Sequence, residues 1–261
     1  MTPEDAIIWP AQAAGDRTAP SLAANEVHVW AARLDVSSAT LASFAATLSL
    51  SERERASRFH FERHRHRFIA GRGLLRVLLG RYLEVEPMRI EFTYGAAGKP
   101  MLAASDPQTA LHFNLAHSED LGLIAITRNS PVGVDVEKVR ALKDAEELVA
   151  RFFSQREHAT FKDLPDSEKP AAFFNLWTRK EAWLKATGEG IAHSLHLVEV
   201  SFLPGEPARL LAIPESLGQG TPWTLMDLHP APGFAAALAI AVLDRRIQCW
   251  RWESPSDATA L

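Results

Sequence analysis

The sequence predicts a mixed α/β fold in two successive units, and three observations carry that prediction. VGVDVEKV, from Val132 to Val139, alternates apolar and other residues at the two-residue period of a strand. FFNLWTRKEAWLKATGEGI, from Phe173 to Ile191, repeats its large apolar side chains at the 3.6-residue period of a helix. Ser130-Pro131 interrupts two strand patterns and places a boundary near residues 129–132. With 261 residues, 47% hydrophobic and 23% charged, the chain can bury a sizeable core as one large domain or two small ones. The net charge is −4 and no apolar run approaches the ~20 residues that span a bilayer, so neither a membrane nor a nucleic acid is the expected partner. The opening MTPEDAIIWPAQ lacks a basic n-region and an apolar h-region, and Cys249 is the one cysteine, so a reducing cytoplasm is the expected location.

Residues 1–25 are rich in Ala, Pro and Asp without periodicity and read as an extension. VHVWAARL, from Val27, reads as a strand, and it leads into LASFAATLSLSERERASRF, where Ser51 and Glu54 have the spacing of a helix capping box. From about Arg65 to Tyr82, Phe68, Leu75, Leu78, Leu79 and Tyr82 recur on one helical face. Arg53, Arg55, Arg58, Arg63, Arg65 and Arg67, interleaved with His60, His64 and His66, form either a solvated helix face diluted by Glu52, Glu54 and Glu62 or a small patch for one anionic ligand or acidic protein. Nucleic-acid binding lacks an accompanying helix-turn-helix, zinc-finger spacing or paired aromatics.

IEFTYGAAGKPML reads as a short strand running into a Gly98-Lys99-Pro100 turn, which either simply reverses the chain or sets backbone and a lysine beside an anion. Leu111, Phe113 and Leu115 alternate as a strand ending in Ala116-His117-Ser118, and LGLIAIT reads as its neighbour. His117 and Ser118 then sit at strand ends, either as solvated loop residues or as donors to a phosphate. In VGVDVEKV, Val132, Val134 and Val136 share one face, leaving Asp135 and Glu137 on the other. If that face is solvated the pair costs little; if it is covered, a hard cation relieves the repulsion, and Glu181 is the third carboxylate such an ion would want. Magnesium joining carboxylates to substrate phosphates points to phosphoryl-type chemistry. In ARFFSQREHATFKDLP, Ser154 reads as an N-cap, with Glu157 either completing the capping box or serving as a further catalytic acid. On the final helix Phe173, Leu176, Trp177 and Leu184 face a core, Glu181 and Lys185 sit at its border, and Gly188 and Gly190 stop it.

GVDVEKV, FFSQREH and FNLWTRKEAWLKATGEGI, in this order and spacing, resemble the long single-chain, surfactin-synthetase-activating class of 4′-phosphopantetheinyl transferases. GKP at Gly98 to Pro100, FNLAHSED and PGFAAALAIAV extend the resemblance from about Val27 to Val242. It implies an α/β fold of two similar halves related by an approximate two-fold axis, each a small antiparallel sheet packed with helices, here residues 26–130 and 131–261. It implies that the 4′-phosphopantetheine arm of coenzyme A passes to a serine of an apo acyl or peptidyl carrier protein, an acidic partner, with release of 3′,5′-ADP. Asp135, Glu137 and Glu181 would hold Mg²⁺ against the diphosphate, and Lys185 would contact those phosphates. Lys99 and Pro100 match the adenine and phosphate loop, His117 and Ser118 a segment that binds the ribose 3′-phosphate, and Arg53 a basic position used for the same anion. The general base stays open among Glu157, Glu181 and a metal-bound hydroxide. The chain is expected to act as a monomer. The family's usual Ser-His-Ser or Ser-His-Thr is Ala116-His117-Ser118 here, followed at once by Glu119-Asp120, so a changed affinity for coenzyme A is expected. A non-catalytic coenzyme A- or carrier-binding relative is the alternative.

Overall fold

Strands β1 (Ala11–Ala13) and β2 (Glu26–Arg33) precede three helices, α1 (Ser38–Thr47), α2 (Leu50–Ser57) and α3 (Glu62–Leu83). A short hairpin, β3 (Phe92–Tyr94) and β4 (Pro100–Leu102), leads to β5 (Leu111–Ser118), β6 (Leu121–Arg128) and β7 (Val132–Lys138). Helices α4 (Ala145–Phe152), α5 (Gln155–Lys162) and α6 (Lys169–Thr187) follow, and then β8 (Glu199–Val200), β9 (Leu210–Ala212), β10 (Thr224–Leu228), β11 (Phe234–Ile240) and β12 (Arg246–Glu253). The computed structural model describes residues 9–13, 20–103, 111–188, 195–213, 222–242 and 245–253. Most of the expected 1–25 extension, and Gly190, lie outside them. No helix among the described residues is long and apolar enough to cross a membrane.

Two sheets organise the molecule. The larger has the order β1-β12-β2-β6-β5, and the smaller, β10-β11-β7, is antiparallel throughout. In the larger sheet β2, β6 and β5 are antiparallel neighbours, whereas β12 returns to lie parallel to β2 and to β1. Residues 246–253 therefore hydrogen-bond into the first sheet rather than the second. The alternation along each strand sorts its side chains between layers. Val27, Val29 and Ala31 of β2 and Leu123 and Ala125 of β6 meet Val132, Val134 and Val136 of β7 and Leu238 and Ile240 of β11 in the core between the sheets. Trp30, Ala32, Ile124 and Ile126 point the other way, onto Leu74, Leu75, Leu78 and Leu79 of α3. This explains why β2 is buried on both faces.

The opposite face of the smaller sheet receives α6. Ala235, Ala237 and Ala239 of β11 supply only methyl groups there, beneath Ala182, Trp183 and Ala186. At Gly133 the helix backbone comes so near that a Cβ would meet Ala182 O and Ala186 N well inside van der Waals contact. Asn114 of β5 ties the sheets together by accepting the Val134 N–H through its Oδ1 at 2.9 Å.

Local cues fare unevenly. Ser154 caps α5 in a reciprocal capping box with Glu157, as its spacing predicts. The box expected at Ser51 and Glu54 instead forms two residues earlier, between Ser49 and Glu52, because α2 starts at Leu50. Glu52 is buried and its Oε2 also accepts from Arg76 Nε at 2.7 Å, so it faces inward and does not dilute the exposed arginines. Helix α6 ends at Gly188, whose φ of 83° is a left-handed cap that a glycine adopts without steric cost.

Candidate active site

The edge of β7 and the last turns of α6 meet where β5 ends. On β7 the residues opposite the valines are Gly133, Asp135 and Glu137, and all three lie toward α6, which presents Glu181 and Lys185 one turn apart. A cavity of about 380 Å³ opens there. Asp135, Glu137, Glu181 and Lys185 form one wall; Arg55, Arg67, Arg72 and His117 bring positive or titratable groups to the others, with Trp177 and Phe68 as apolar lining. A second cavity of about 260 Å³ shares Leu115, Glu181 and Lys185 with the first and runs to Lys99, Pro100, Asn114 and Gly188. Together they make an elongated site between the two sheets, rich in cations at one end and in carboxylates in the middle.

The carboxylates are held under electrostatic stress. Lys185 Nζ donates to Asp135 Oδ1 at 2.5 Å, yet Asp135 Oδ2 and Glu181 Oε1 are buried without any partner. Burial pushes the Asp135 carboxyl up to about 6 against the pull of Lys185. Burial, and then the Asp135 charge, push Glu181 up to about 7. Burial works against the charge of Lys185, but Asp135 and the two glutamates outweigh it and its pKa is raised. Glu137 accepts a hydrogen bond from Ser118 Oγ at 2.6 Å, and the same oxygen accepts from Lys138 N–H at 3.1 Å. Among the described residues no three acidic, histidine or cysteine side chains already stand as a formed metal-binding cluster. Even so, the donor set fits a hard divalent cation: two buried, unpartnered carboxylate oxygens line one cavity, each costly unless a positive charge meets it.

The remaining expected site residues fall in several places. His117 is exposed at the cavity wall, and Pro100 lines the second cavity. Lys99 also lines that cavity, but its ammonium turns into the protein and donates to the carbonyls of Val132 at 3.0 Å, Lys185 at 2.5 Å and Ala186 at 3.4 Å. Burial lowers its pKa to about 8. It thus caps the C-terminal carbonyls of α6 and pins the β3–β4 hairpin to that helix. Ser118 spends its hydroxyl on Glu137 and Lys138 and acts through them. Arg53 does not reach the cavity; it donates to Leu48 O and Ala46 O at the end of α1. Glu157 lines neither cavity. It is buried, closes its capping box, accepts from Lys180 Nζ at 2.5 Å, and takes the Val200 N–H at 3.1 Å.

The basic lining comes from residues that sequence reading left undifferentiated. Arg55 and Arg67 belong to the recognised arginine run, but which members face the cavity depends on how α2 and α3 are turned against β5. Arg72 escaped notice inside an apolar helix. It is buried, with Nε and one Nη lacking hydrogen-bond partners, 3.4 Å from Glu52 Oε1, and burial lowers its pKa.

Sequence comparison gives the arrangement a context. The pattern of the 4′-phosphopantetheinyl transferase superfamily matches residues 131–241, and that of the N-terminal region of 4′-phosphopantetheinyl transferase matches residues 33–129. The 4′-phosphopantetheinyl transferase HetI of Nostoc sp. is 43% identical over 232 residues, which cover 89% of this chain and 94% of that protein. A putative 4′-phosphopantetheinyl transferase of Synechocystis sp. is 36% identical over 183 residues, 70% of this chain and 72% of that one. The 4′-phosphopantetheinyl transferase Sfp of Bacillus subtilis is 28% identical over 198 residues, 76% and 84% of the two chains.

Proposed function

The chain belongs to the 4′-phosphopantetheinyl transferase superfamily, and from that premise we propose that it moves the phosphopantetheine arm of coenzyme A onto a serine hydroxyl of an apo acyl or peptidyl carrier protein, releasing 3′,5′-ADP. The charge layout of the cavity supports this reading. Coenzyme A carries an internal diphosphate and, on its ribose, a terminal phosphate monoester. The unpartnered oxygens of Asp135 and Glu181, with Glu137 beside them, would hold Mg²⁺ against the diphosphate. Such an ion supplies Lewis-acid stabilisation of the charge that gathers on the leaving phosphate. Arg55, Arg67 and His117 at the other wall suit the monoester.

The chain's own groups do the rest. Lys185 Nζ, seated on Asp135, adds a fixed positive charge where the diphosphate must lie. Glu181, its carboxyl pushed up to about 7, is suited to take the proton of the incoming serine hydroxyl. Of the side chains that sequence reading offered for that task it is the one lining the cavity, since Glu157 is committed to Lys180. Trp177 and Phe68 exclude water from the wall beside the carboxylates. The nucleophile belongs to the carrier, so no internal serine triad is needed. One buried cysteine, Cys249, suits a reducing cytoplasm.

The single observation carrying this proposal is the pair of buried carboxylate oxygens without partners inside a cavity otherwise walled by cations. Incubating the protein with Mg²⁺, coenzyme A and a panel of apo carriers, then weighing each carrier intact, should reveal the mass of one phosphopantetheine arm. Asp135→Ala and Glu181→Ala should abolish the gain while the fold survives. Modification at the parent rate by both variants would remove the metal assignment. Coenzyme A binding with no carrier modified would instead mark a non-catalytic binder.

A further inference from the structure

The Arg67 guanidinium, on the cationic wall of the larger cavity, is not left to find its own position. Its Nε and one Nη form a fork on Asp35, donating to Oδ1 at 2.7 Å and to Oδ2 at 2.8 Å, and its other Nη donates to Glu119 Oε2 at 3.1 Å. Asp35 lies just after β2 and Glu119 in the turn between β5 and β6, two residues past His117. Both acids are about half exposed, with side chains 53% accessible, whereas Arg67 is only 10% accessible. The hydrogen bonds from Arg67 hold Asp35 below the usual carboxylate range. Three of the five N–H groups of a guanidinium are thereby used, and two remain, one on each Nη.

An arginine left loose on a cavity wall would lose rotamer freedom on gripping an anion; one already fixed by a two-toothed carboxylate does not. Two carboxylates also offset its charge, so it holds an anion through the direction of its remaining donors more than through net attraction. Neither acid lines the cavity, so they touch no ligand there.

We infer that Asp35 and Glu119 are positioning residues that fix the Arg67 guanidinium beside His117, so that the site distinguishes a ligand bearing a terminal phosphate monoester from one lacking it. This rests on the assignment of the cationic wall to that phosphate. It explains what the Glu119 of the Ala116-His117-Ser118-Glu119-Asp120 segment does: it is the second tooth of the clamp rather than a charge opposing the ligand.

Equilibrium binding tests the clamp without any turnover, using coenzyme A and dephospho-coenzyme A, which differ only in the monoester. Asp35→Asn should weaken coenzyme A by about tenfold, the size expected when a positioned, charge-assisted contact is lost. It should leave dephospho-coenzyme A unchanged, so the ratio of the two dissociation constants falls toward one. Glu119→Gln, a change in an exposed turn that endangers folding less, should move the ratio the same way by a smaller factor. If the acids act through Arg67, Asp35→Asn should add nothing to Arg67→Lys in the double variant. A purely structural role would weaken both ligands alike, and either that result or an unchanged ratio overturns the inference. A parent protein that binds both ligands equally also overturns it, while the carrier-modification assay judges the transferase reading on its own.

Discussion

Replacing Gly133 by alanine should separate the catalytic geometry from the rest of the fold. The added methyl would point from β7 straight into the backbone of α6, meeting Lys185 C at 2.9 Å and Ala182 O and Ala186 N closer still, where ordinary contact begins at 3.4 Å. The mildest of these clashes needs a retreat of about 0.5 Å and the worst about 1 Å or more, and both partners are backbone, which cannot rotate aside. Helix α6 is anchored one turn earlier by Arg179 on Asp227 and Lys180 on Glu157, so its C-terminal end has to give. That end carries Glu181 and Lys185, while Asp135 sits two residues from the insertion. Overpacking of this kind costs about 1–3 kcal/mol, which for a chain of this size lowers Tm by roughly 2–12 °C. A displacement of about 1 Å at reacting groups costs on the order of 10²-fold in rate. Carrier modification followed by intact mass, alongside a thermal melt, should therefore show a folded protein whose rate has fallen about a hundredfold. A Gly133→Ala protein that modifies a carrier within twofold of the parent rate would refute the claim that this close approach sets the distance between the carboxylates.

Two further outcomes follow from buried charges away from the cavity. Glu157→Gln leaves Lys180 buried without a counter-charge and should cost about 3–5 kcal/mol of stability, visible as a lower urea midpoint, while Glu157→Gln with Lys180→Met should recover most of it along with transfer activity. A single variant as stable as the parent but inactive would make Glu157 the general base after all. His28 is fully buried, with Nδ1 against Tyr82 OH at 2.7 Å, and burial lowers its pKa to about 4. The unfolded chain, with histidine near 6.5, therefore binds more protons than the folded one between those values. Stability from neutral His28 is fully present above about 6.5 and drains as pH falls toward 4, by at most about 3 kcal/mol. His28→Gln should flatten the loss of urea stability over that window, and an unaltered slope would show that other groups carry it.

What could be read in advance was what local periodicity encodes. The valines of β7 forced Asp135 and Glu137 onto one face, the stripe of α6 set Glu181 and Lys185 together, and Ser154 with Glu157 marked a helix start, because each of these depends on residues within a turn or two. The side chains that misled reading were those whose partners lie far along the chain. Lys99 carries the charge a phosphate would want, but three carbonyls, two of them more than eighty residues away, hold it first. Glu52 seemed to dilute a surface patch until Arg76, 24 residues on, drew it inside. Arg53, Arg55 and Arg67 are chemically alike in the sequence, and only the seating of α2 and α3 on the first sheet turns Arg53 to the end of α1 and the other two to the cavity. The same logic governs the chemistry. An acid two residues from another on a strand is cheap while water reaches it, and becomes a demand for a cation only when a helix 50 residues later covers it. Gly133 is what lets that helix come close enough to cover it. The residue without a side chain thus decides whether Asp135 is an ordinary surface acid or half of an ion site, and no motif centred on the acids alone could have distinguished the two.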